Sequence, residues 1–209
     1  MTIINYIKRI IFPVILTVVY LVLINDMQYE KFETWIHFGY YMSLGRYLYK
    51  IGEFSHLFSS LYNKFHYFSF LRNVLITITV SMLFGYLSRF VIGDIGTIGT
   101  GYLIPVDDEL LMIVWVFTLA LLKPICDALV YHKVFVVLDN KNIAYITIFI
   151  SLLFQSITNM GSMTGGVVIF LMSIPPIISY YITKDITVSL TAQVLVNLAN
   201  FISLYIFFM

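Results

Sequence analysis

The chain has few charged side chains and almost no cysteine. Only 11% of its 209 residues are Asp, Glu, Lys or Arg, and the 12 basic and 11 acidic side chains leave a formal net charge of +1. So small a charge gives no reason to expect a nucleic-acid partner. The single cysteine, Cys126, excludes an internal disulfide framework and a zinc site built from several cysteines. We expect no cofactor.

What the chain has in abundance is apolar surface. Hydrophobic residues make up 60% of it and aromatic residues 17%, and the mean hydropathy is +0.93. Such a chain has too little polar surface to cover a soluble globule, so we expect it to lie in a lipid bilayer. Its length allows six or seven spans of roughly 20 residues each. The sequence therefore predicts an all-α fold, a polytopic membrane helical bundle of six to seven transmembrane helices.

Several apolar runs are long enough to cross the bilayer. The first follows Lys8 and Arg9 and resembles a signal peptide, but no small-residue cleavage site follows it, so we predict a retained span. The glycine-rich stretch 93–109 is expected to be a flexible external loop. The predicted clear spans are residues 10–24, 74–92, 110–138, 143–160, 167–181 and 186–208.

Two segments near the N-terminus are harder to interpret. Residues 32–49 are fairly apolar but contain Glu33 and His37, which fits either a weak span or an interfacial helix. Residues 51–70 mix aromatic and basic side chains, a pattern typical of a surface helix at the lipid headgroups. We therefore divide the chain into an N-terminal region, residues 1–72, and a helical core, residues 73–209.

The basic residues predict the orientation of the chain. Cytoplasmic loops carry an excess of Lys and Arg, so Lys8 and Arg9 place the N-terminus in the cytoplasm. The same rule places Lys64 and Arg72 in the cytoplasm, so the chain must return across the membrane before residue 64. This parity argument favours residues 32–49 as a real crossing and a total of seven spans.

Ionisable side chains inside a span cost roughly 2.5 to 3.5 kcal/mol on insertion scales, so each needs a partner. Lys123 and Asp127 are four residues apart on one helix face, where they either form an ion pair without chemistry or belong to a functional site. His132 and Lys133 lie near the inner end of the same span. We expect both at the headgroup interface.

Later spans carry uncharged polar side chains. Thr158 lies near the end of one span, and Gln193 and Asn197 are four residues apart in the last span. Such groups commonly hold helices together by hydrogen bonds. Because three spans each present a polar face, we expect Asp127, Thr158, Gln193 and Asn197 to converge on one wet pocket.

Residues 123–201 resemble the CPBP family of intramembrane proteins, which includes the CAAX-processing and bacteriocin-related (Abi) proteases. Its members carry a glutamate pair followed by an arginine (EExxxR), then FxxxH, then HxxxN or HxxxD. The corresponding stretches here are Pro124 to Tyr131, Phe154 to Thr158, and Gln193 to Asn197. The resemblance implies a CPBP-like core and a polar cavity, whose expected residues are Lys123, Cys126, Asp127, Tyr131, Phe154, Thr158, Gln193 and Asn197.

The protease chemistry of the family is missing from this sequence. In the family a glutamate activates water and two histidines hold the substrate carbonyl, whereas here the histidine positions are Thr158 and Gln193. Asp127 is the remaining acidic residue that could act catalytically. Lys123, one turn away, would stabilise its charged form and make it a weak base, so we expect no glutamyl-type proteolysis. No two histidines have ligand spacing, so no metal site is expected, and Cys126 is expected to be an inert packed residue.

We therefore expect a pseudoenzyme in a bacterial cell membrane, a partner or scaffold in cell-envelope protein processing. The chain is similar in size and character to the membrane component of a two-part lipoprotein N-acylation system. Its expected partners are the lipid bilayer, a second envelope protein or enzyme, and a lipoprotein or peptide substrate. Two alternatives stay open: a membrane enzyme that uses Asp127 for acyl transfer or residual proteolysis, and a bacteriocin self-immunity protein. A transporter is the weakest option, because the sequence has no inverted repeat.

Overall fold

The computed structural model describes residues 3–25, 30–54, 57–92, 109–159 and 163–208. Every regular element within these ranges is a helix. The predicted external loop lies almost entirely outside the described residues. The helices are α1 (Ile3–Asn25), α2 (Glu30–Lys50), α3 (Leu57–Lys64), α4 (Phe68–Ile92), α5 (Glu109–Val134), α6 (Lys141–Asn159), α7 (Met163–Thr183) and α8 (Ile186–Phe208).

The described helices form the predicted all-α polytopic membrane bundle. Five of them, α1, α4, α5, α6 and α7, are long and apolar enough to cross a bilayer. The section Ile186–Ala199 of α8 is apolar but shorter. Helix α2 is less apolar than these five helices. That residues 32–49 cross the bilayer therefore stays a prediction. The protein is therefore a multi-pass membrane protein with at least five candidate spans.

Helix α2 packs antiparallel along α1. Near one end of the pair, the Tyr20 hydroxyl is 2.6 Å from His37 Nδ1, and near the other the Tyr47 hydroxyl donates to the Arg9 carbonyl at 2.5 Å. Thr17 and Tyr40 share a hydrogen bond of 2.9 Å between them. At about 1.5 Å per residue, the 21 residues of α2 are about 31 Å long, enough for the hydrocarbon core.

In the first two turns of α2, polar side chains face the protein and aromatic ones face outward. Thr34 and His37 are each 4% exposed, whereas Phe32 is 57% and Trp35 44% exposed. A helix in water shows the opposite arrangement, because there the apolar face is the buried one. These polar side chains lower the hydropathy of α2 although it lies beside α1.

The hydrophobic core joins the N-terminal helices to the later ones. Tyr41, Leu44 and Leu48 of α2 are all completely buried and belong to the same cluster as Cys126 and Leu129 of α5. Regions 1–72 and 73–209 therefore share one core.

Helix α5 is irregular around Pro124. A proline has no N–H to donate within a helix, and it crowds the preceding turn. The chain accommodates it with a π-helical turn, in which the Lys123 N–H donates to the Thr118 carbonyl five residues earlier. A second π-helical section, Ala128–Val134, follows the short α-helical section Lys123–Asp127. Such π turns occur most often at functional sites, and here they flank the predicted ion pair.

The basic segments of the chain meet at one end of the bundle. Glu53, in the turn after α2, is 9% exposed and contacts both Arg9 and Lys133, with 2.5 Å to Lys133 Nζ. Gly52 precedes it at a φ of +79°, a conformation that favours glycine. We call Arg9, Glu53 and Lys133 the Glu53 cluster. Its assembly brings the N-terminus, the end of α2 and the end of α5 together.

A second ion pair lies close to the Glu53 cluster. Lys64 Nζ of α3 is 2.8 Å from Asp185 Oδ2 in the turn between α7 and α8. Tyr180 lies close enough to Glu53, Arg9 and Asp185 to interact electrostatically with all three. Lys64 and the turn before α8 therefore lie at the same end of the bundle as Arg9, which is where the basic residues of the sequence predict Lys64 to be.

Replacing Asp185 with alanine should lower the free energy of unfolding by about 1 to 2 kcal/mol. Asp185 Oδ1 accepts hydrogen bonds from the Thr187 N–H at 3.1 Å and from its hydroxyl at 2.7 Å, so it caps the first turn of α8. Thermal unfolding in detergent would measure the loss. Asp185→Asn keeps the cap and loses only the half-exposed pair with Lys64, so its cost should stay below about 1 kcal/mol. An alanine variant as stable as the asparagine variant would contradict the capping role.

The Asp185 carboxyl also makes the free energy of unfolding depend on pH. Burial alone would raise the pKa of Asp185, but hydrogen bonds from Lys64 and Thr187 and the Lys64 charge together lower it below its ordinary value. A group with a lowered folded pKa stabilises the fold above its unfolded pKa of about 3.9, and this stabilisation is lost as the pH falls through the folded value. The difference in free energy of unfolding between wild type and Asp185→Ala should therefore become smaller at acidic pH.

Candidate functional site

The ion pair predicted in α5 is present, and it has a third member. Lys123 Nζ is 3.5 Å from Asp127 Oδ2 and makes a much closer contact with Asn159 Oδ1. Asn159 is the last residue of α6 and is 8% exposed. Its amide nitrogen donates to the Gln155 carbonyl at 2.8 Å. The Asn159 amide therefore links the Lys123–Asp127 pair to α6.

Asp127 is incompletely satisfied in this arrangement. It is 3% exposed, and its Oδ1 has no hydrogen-bond partner among the described residues. A carboxylate has about four lone-pair sites, and the 3.5 Å contact with Lys123 uses one of them at the limit of hydrogen-bond distance. Asp127 can therefore accept a further donor.

A chain of hydroxyl groups near this pair links four helices. Because the Thr158 hydroxyl donates to the Phe154 carbonyl at 2.7 Å, the Tyr131 hydroxyl donates to Thr158 Oγ1 at 2.8 Å. The Tyr40 hydroxyl lies 3.4 Å from that of Tyr131 and 2.9 Å from that of Thr17. The stretches that resemble the first and second family motifs thus meet through Tyr131 and Thr158.

His132 was expected at the headgroup interface, and its depth in the bilayer stays a prediction. Within the bundle it is completely buried, with Nδ1 2.6 Å from Ser189 Oγ and Nε2 3.3 Å from the Gln193 amide nitrogen. The π-helical section of α5 turns its side chain toward α8. Lys133, by contrast, is 35% exposed and contacts Glu53 at the bundle end.

The four polar residues predicted to converge on one pocket lie instead in two groups on different faces of α5. Asp127 and Thr158 belong with Tyr131 on the side of α6, whereas Gln193 contacts His132 on the side of α8. Asn197 is half-buried, and its amide donates to the Gln193 carbonyl at 3.1 Å. Gln155 connects the groups, because its carbonyl accepts from Asn159 and its side chain lies beside His132. Access of water to either group stays a prediction.

Two other predicted cavity residues are packed in the core. The Cys126 thiol is completely buried and donates to the Tyr41 carbonyl at 3.5 Å. The rings of Phe154 and Phe135 pack with their centroids 5.5 Å apart. Both residues therefore fill space around the polar groups.

Only some of the site could be recognised from the sequence. Asn159 is four residues after Gln155, so their shared helix face was visible in the sequence, but Asn159 was not singled out as a partner of Lys123. Tyr40, Thr17 and Ser189 are of residue types too common in membrane helices to be singled out. Among the described residues, no three His, Cys, Asp or Glu side chains are arranged to hold a metal ion.

No family model, curated protein or solved structure matches this chain. The resemblance to the CPBP family therefore rests on the positions of its motifs.

Proposed function

We propose that this chain is a non-proteolytic, CPBP-like membrane protein that acts as a partner or scaffold in bacterial lipoprotein N-terminal acylation. The hydrogen bond between Tyr131 and Thr158, 2.8 Å long, is the observation that carries the proposal. These residues stand where the family has an arginine and a histidine. Two neutral hydroxyls that satisfy each other keep the two helices together and supply neither a charge nor a titratable base.

The remaining acidic residue also supports a binding role. A general base needs a carboxylate that is free to take a proton, but Asp127 is paired with Lys123, whose Nζ is 3.5 Å from its Oδ2. Its unpartnered Oδ1 suits the binding of a hydrogen-bond donor. The α-amino group of a diacylglyceryl-cysteine is such a donor, so the site could present this group to a separate acyl-transferring enzyme.

The position of this group in the membrane fits an exported substrate. The excess of basic residues assigns the end with the Glu53 cluster to the cytoplasm. Helix α6 begins at Lys141, shortly after Lys133, and reaches the opposite end of the bundle at Asn159. Asn159 therefore lies toward the outer leaflet, where the lipid-modified N-terminus of an exported lipoprotein is anchored.

Deletion of the gene should abolish N-terminal acylation of lipoproteins, as measured by mass spectrometry of their N-terminal peptides. Wild type expressed in the deletion strain should restore the modification. Asp127→Asn, which keeps an acceptor oxygen, should restore it substantially if the protein is a scaffold. An unchanged lipoprotein terminus in the deletion strain would contradict the acylation role.

The same variant separates a scaffold from an enzyme. If Asp127 performs chemistry, Asp127→Asn should be inactive although it reaches the membrane at the wild-type level. Purification from mild detergent should recover a second envelope protein with both wild type and this variant. Recovery of no envelope enzyme would count against the scaffold.

A further inference from the structure

His132 lies between two side chains of α8 that are one turn apart. Ser189 and Gln193 are four residues apart and share a helix face. The Ser189 hydroxyl is 2.6 Å from Nδ1 of His132, and the Gln193 amide nitrogen is 3.3 Å from Nε2. His132 and Ser189 are completely buried, and Gln193 is 8% exposed. Both ring nitrogens are therefore engaged by α8.

The orientation of the Gln193 amide depends on which ring nitrogen of His132 carries the proton. When Nδ1 accepts the Ser189 proton, Nε2 carries the ring proton and needs an acceptor. The Gln193 amide nitrogen cannot accept, whereas its Oε1 has no partner among the described residues. Turning the amide by 180° places Oε1 on the Nε2–H and satisfies both atoms, since amide oxygen and nitrogen positions are assigned from the hydrogen-bond network.

From this arrangement we propose that Ser189 is a nucleophile, that His132 is its general base, and that Gln193 is a positioning residue that holds the ring. A hydroxyl within hydrogen-bond distance of a base that a third group orients is the general pattern of an activated nucleophile. An amide serves as the third group in cysteine proteases with a Cys-His-Asn triad. This activity does not depend on the proposed role in lipoprotein acylation, which uses the other face of α5.

The depth of Ser189 indicates a lipid ester as the substrate. Ser189 follows Asp185 by four residues, which places it about 6 Å along α8 from the charged turn at the bundle end. The ester carbonyls of glycerolipids occupy the same zone, between the headgroups and the hydrocarbon core.

The proposed reaction is an acyl transfer without redox change. Ser189 Oγ attacks the ester carbonyl carbon and its proton passes to His132 Nδ1. The bond between the carbonyl carbon and the glycerol oxygen breaks, and that oxygen takes the proton from His132. The acyl group is now an ester of Ser189. A water molecule or an amine then attacks this ester, loses its proton through His132 to Ser189 Oγ, and releases a fatty acid or an amide.

A helix-to-helix hydrogen bond without chemistry is the alternative, and Ser151 is its matched control. Ser151 is also completely buried, but its hydroxyl donates to the Tyr131 carbonyl instead of to a base. A structural role for Ser189 would leave it as unreactive as Ser151. Reactivity toward an electrophile therefore distinguishes the two roles.

The test is labelling of the full-length protein in phospholipid vesicles with an alkyl fluorophosphonate. Ser189 Oγ would form a bond to phosphorus, the phosphorus–fluorine bond would break, and His132 would take the serine proton. Mass spectrometry should find the adduct on the Ser189 peptide of wild type and of Ser151→Ala. Ser189→Ala should show no adduct at this peptide, and His132→Gln should react at least about 100-fold more slowly.

Two further variants test Gln193. Gln193→Leu removes the acceptor and should slow the reaction, whereas Gln193→Glu keeps an acceptor oxygen and should restore most of the rate. Unfolding temperatures show that each variant is folded. A wild type without an adduct on Ser189 would overturn the proposal, and so would a His132→Gln variant that reacts as fast as wild type. Either result would leave the lipoprotein experiment unaffected, because that experiment measures the N-termini of other proteins.

Discussion

Replacing Glu53 with alanine is expected to lower the free energy of unfolding by about 2 to 3 kcal/mol. The carboxylate is 9% exposed and contacts Arg9 and Lys133 from two different segments of the chain. Without it, these two cations, whose side chains are 33% and 35% exposed, would face each other with no counter-charge. Unfolding of the protein in mixed micelles, followed as the fraction of denaturing detergent rises, would measure the loss.

Glu109 provides the control for this substitution. It is an exposed carboxylate in the first turn of α5, so Glu109→Ala should change stability by no more than about 0.5 kcal/mol. The double variant Glu53→Ala, Lys133→Ala should recover part of the loss, because one of the two unpaired cations is gone. If Glu53→Ala is as stable as Glu109→Ala, the cluster is a solvated surface pair of little energetic weight.

Replacing Asp127 with alanine should lower the free energy of unfolding by more, about 3 to 5 kcal/mol, because both members of its ion pair are largely buried. Lys123 would then be a cation in the membrane interior with only the Asn159 oxygen as a close partner. The double variant Lys123→Met, Asp127→Leu should be about as stable as wild type, because it removes both charges and replaces them with apolar side chains of similar volume. The same micelle titration compares the two variants.

The difference in stability between these two variants reflects the cost of leaving Lys123 in the membrane without its counter-charge. We expect the double variant to be more stable than Asp127→Ala alone. Equal stability of the two would show that Lys123 reaches the headgroups in the single variant and that the pair contributes little. Leu129, completely buried nearby in α5, provides an apolar comparison through Leu129→Ala, with an expected cost of about 2 to 5 kcal/mol.

The sequence predicted the long apolar helices well because membrane spans depend on hydropathy and length. The span predicted at 143–160 is Lys141–Asn159, and the one at 167–181 is Met163–Thr183. The span predicted from residue 74 begins six residues earlier, at Phe68. The backbone hydrogen bonds of α4 begin at Phe68, among the aromatic residues expected at the headgroups, although hydropathy there is lower than in the span itself.

The site was predictable only where two residues share one helix. The pairing of Lys123 with Asp127 follows from a spacing of four residues, and the structure contains it. The burial of His132 was not predictable in this way. Its side-chain direction depends on the π-helical section around it and on Ser189, 57 residues later in the chain. The Glu53 cluster likewise joins Arg9 to a residue 44 positions away.

The amino-acid sequence by itself determined that this protein is a helical membrane bundle, because its apolar surface leaves no soluble alternative and a bilayer admits only internally hydrogen-bonded segments. It also determined which polar residues needed partners. Only the tertiary structure decided who those partners are: Asn159 for Lys123, Thr158 for Tyr131, and Ser189 with Gln193 for His132. The physical reason is that hydropathy fixes how long each helix is, whereas the rotation of each helix about its axis is set by packing against its neighbours.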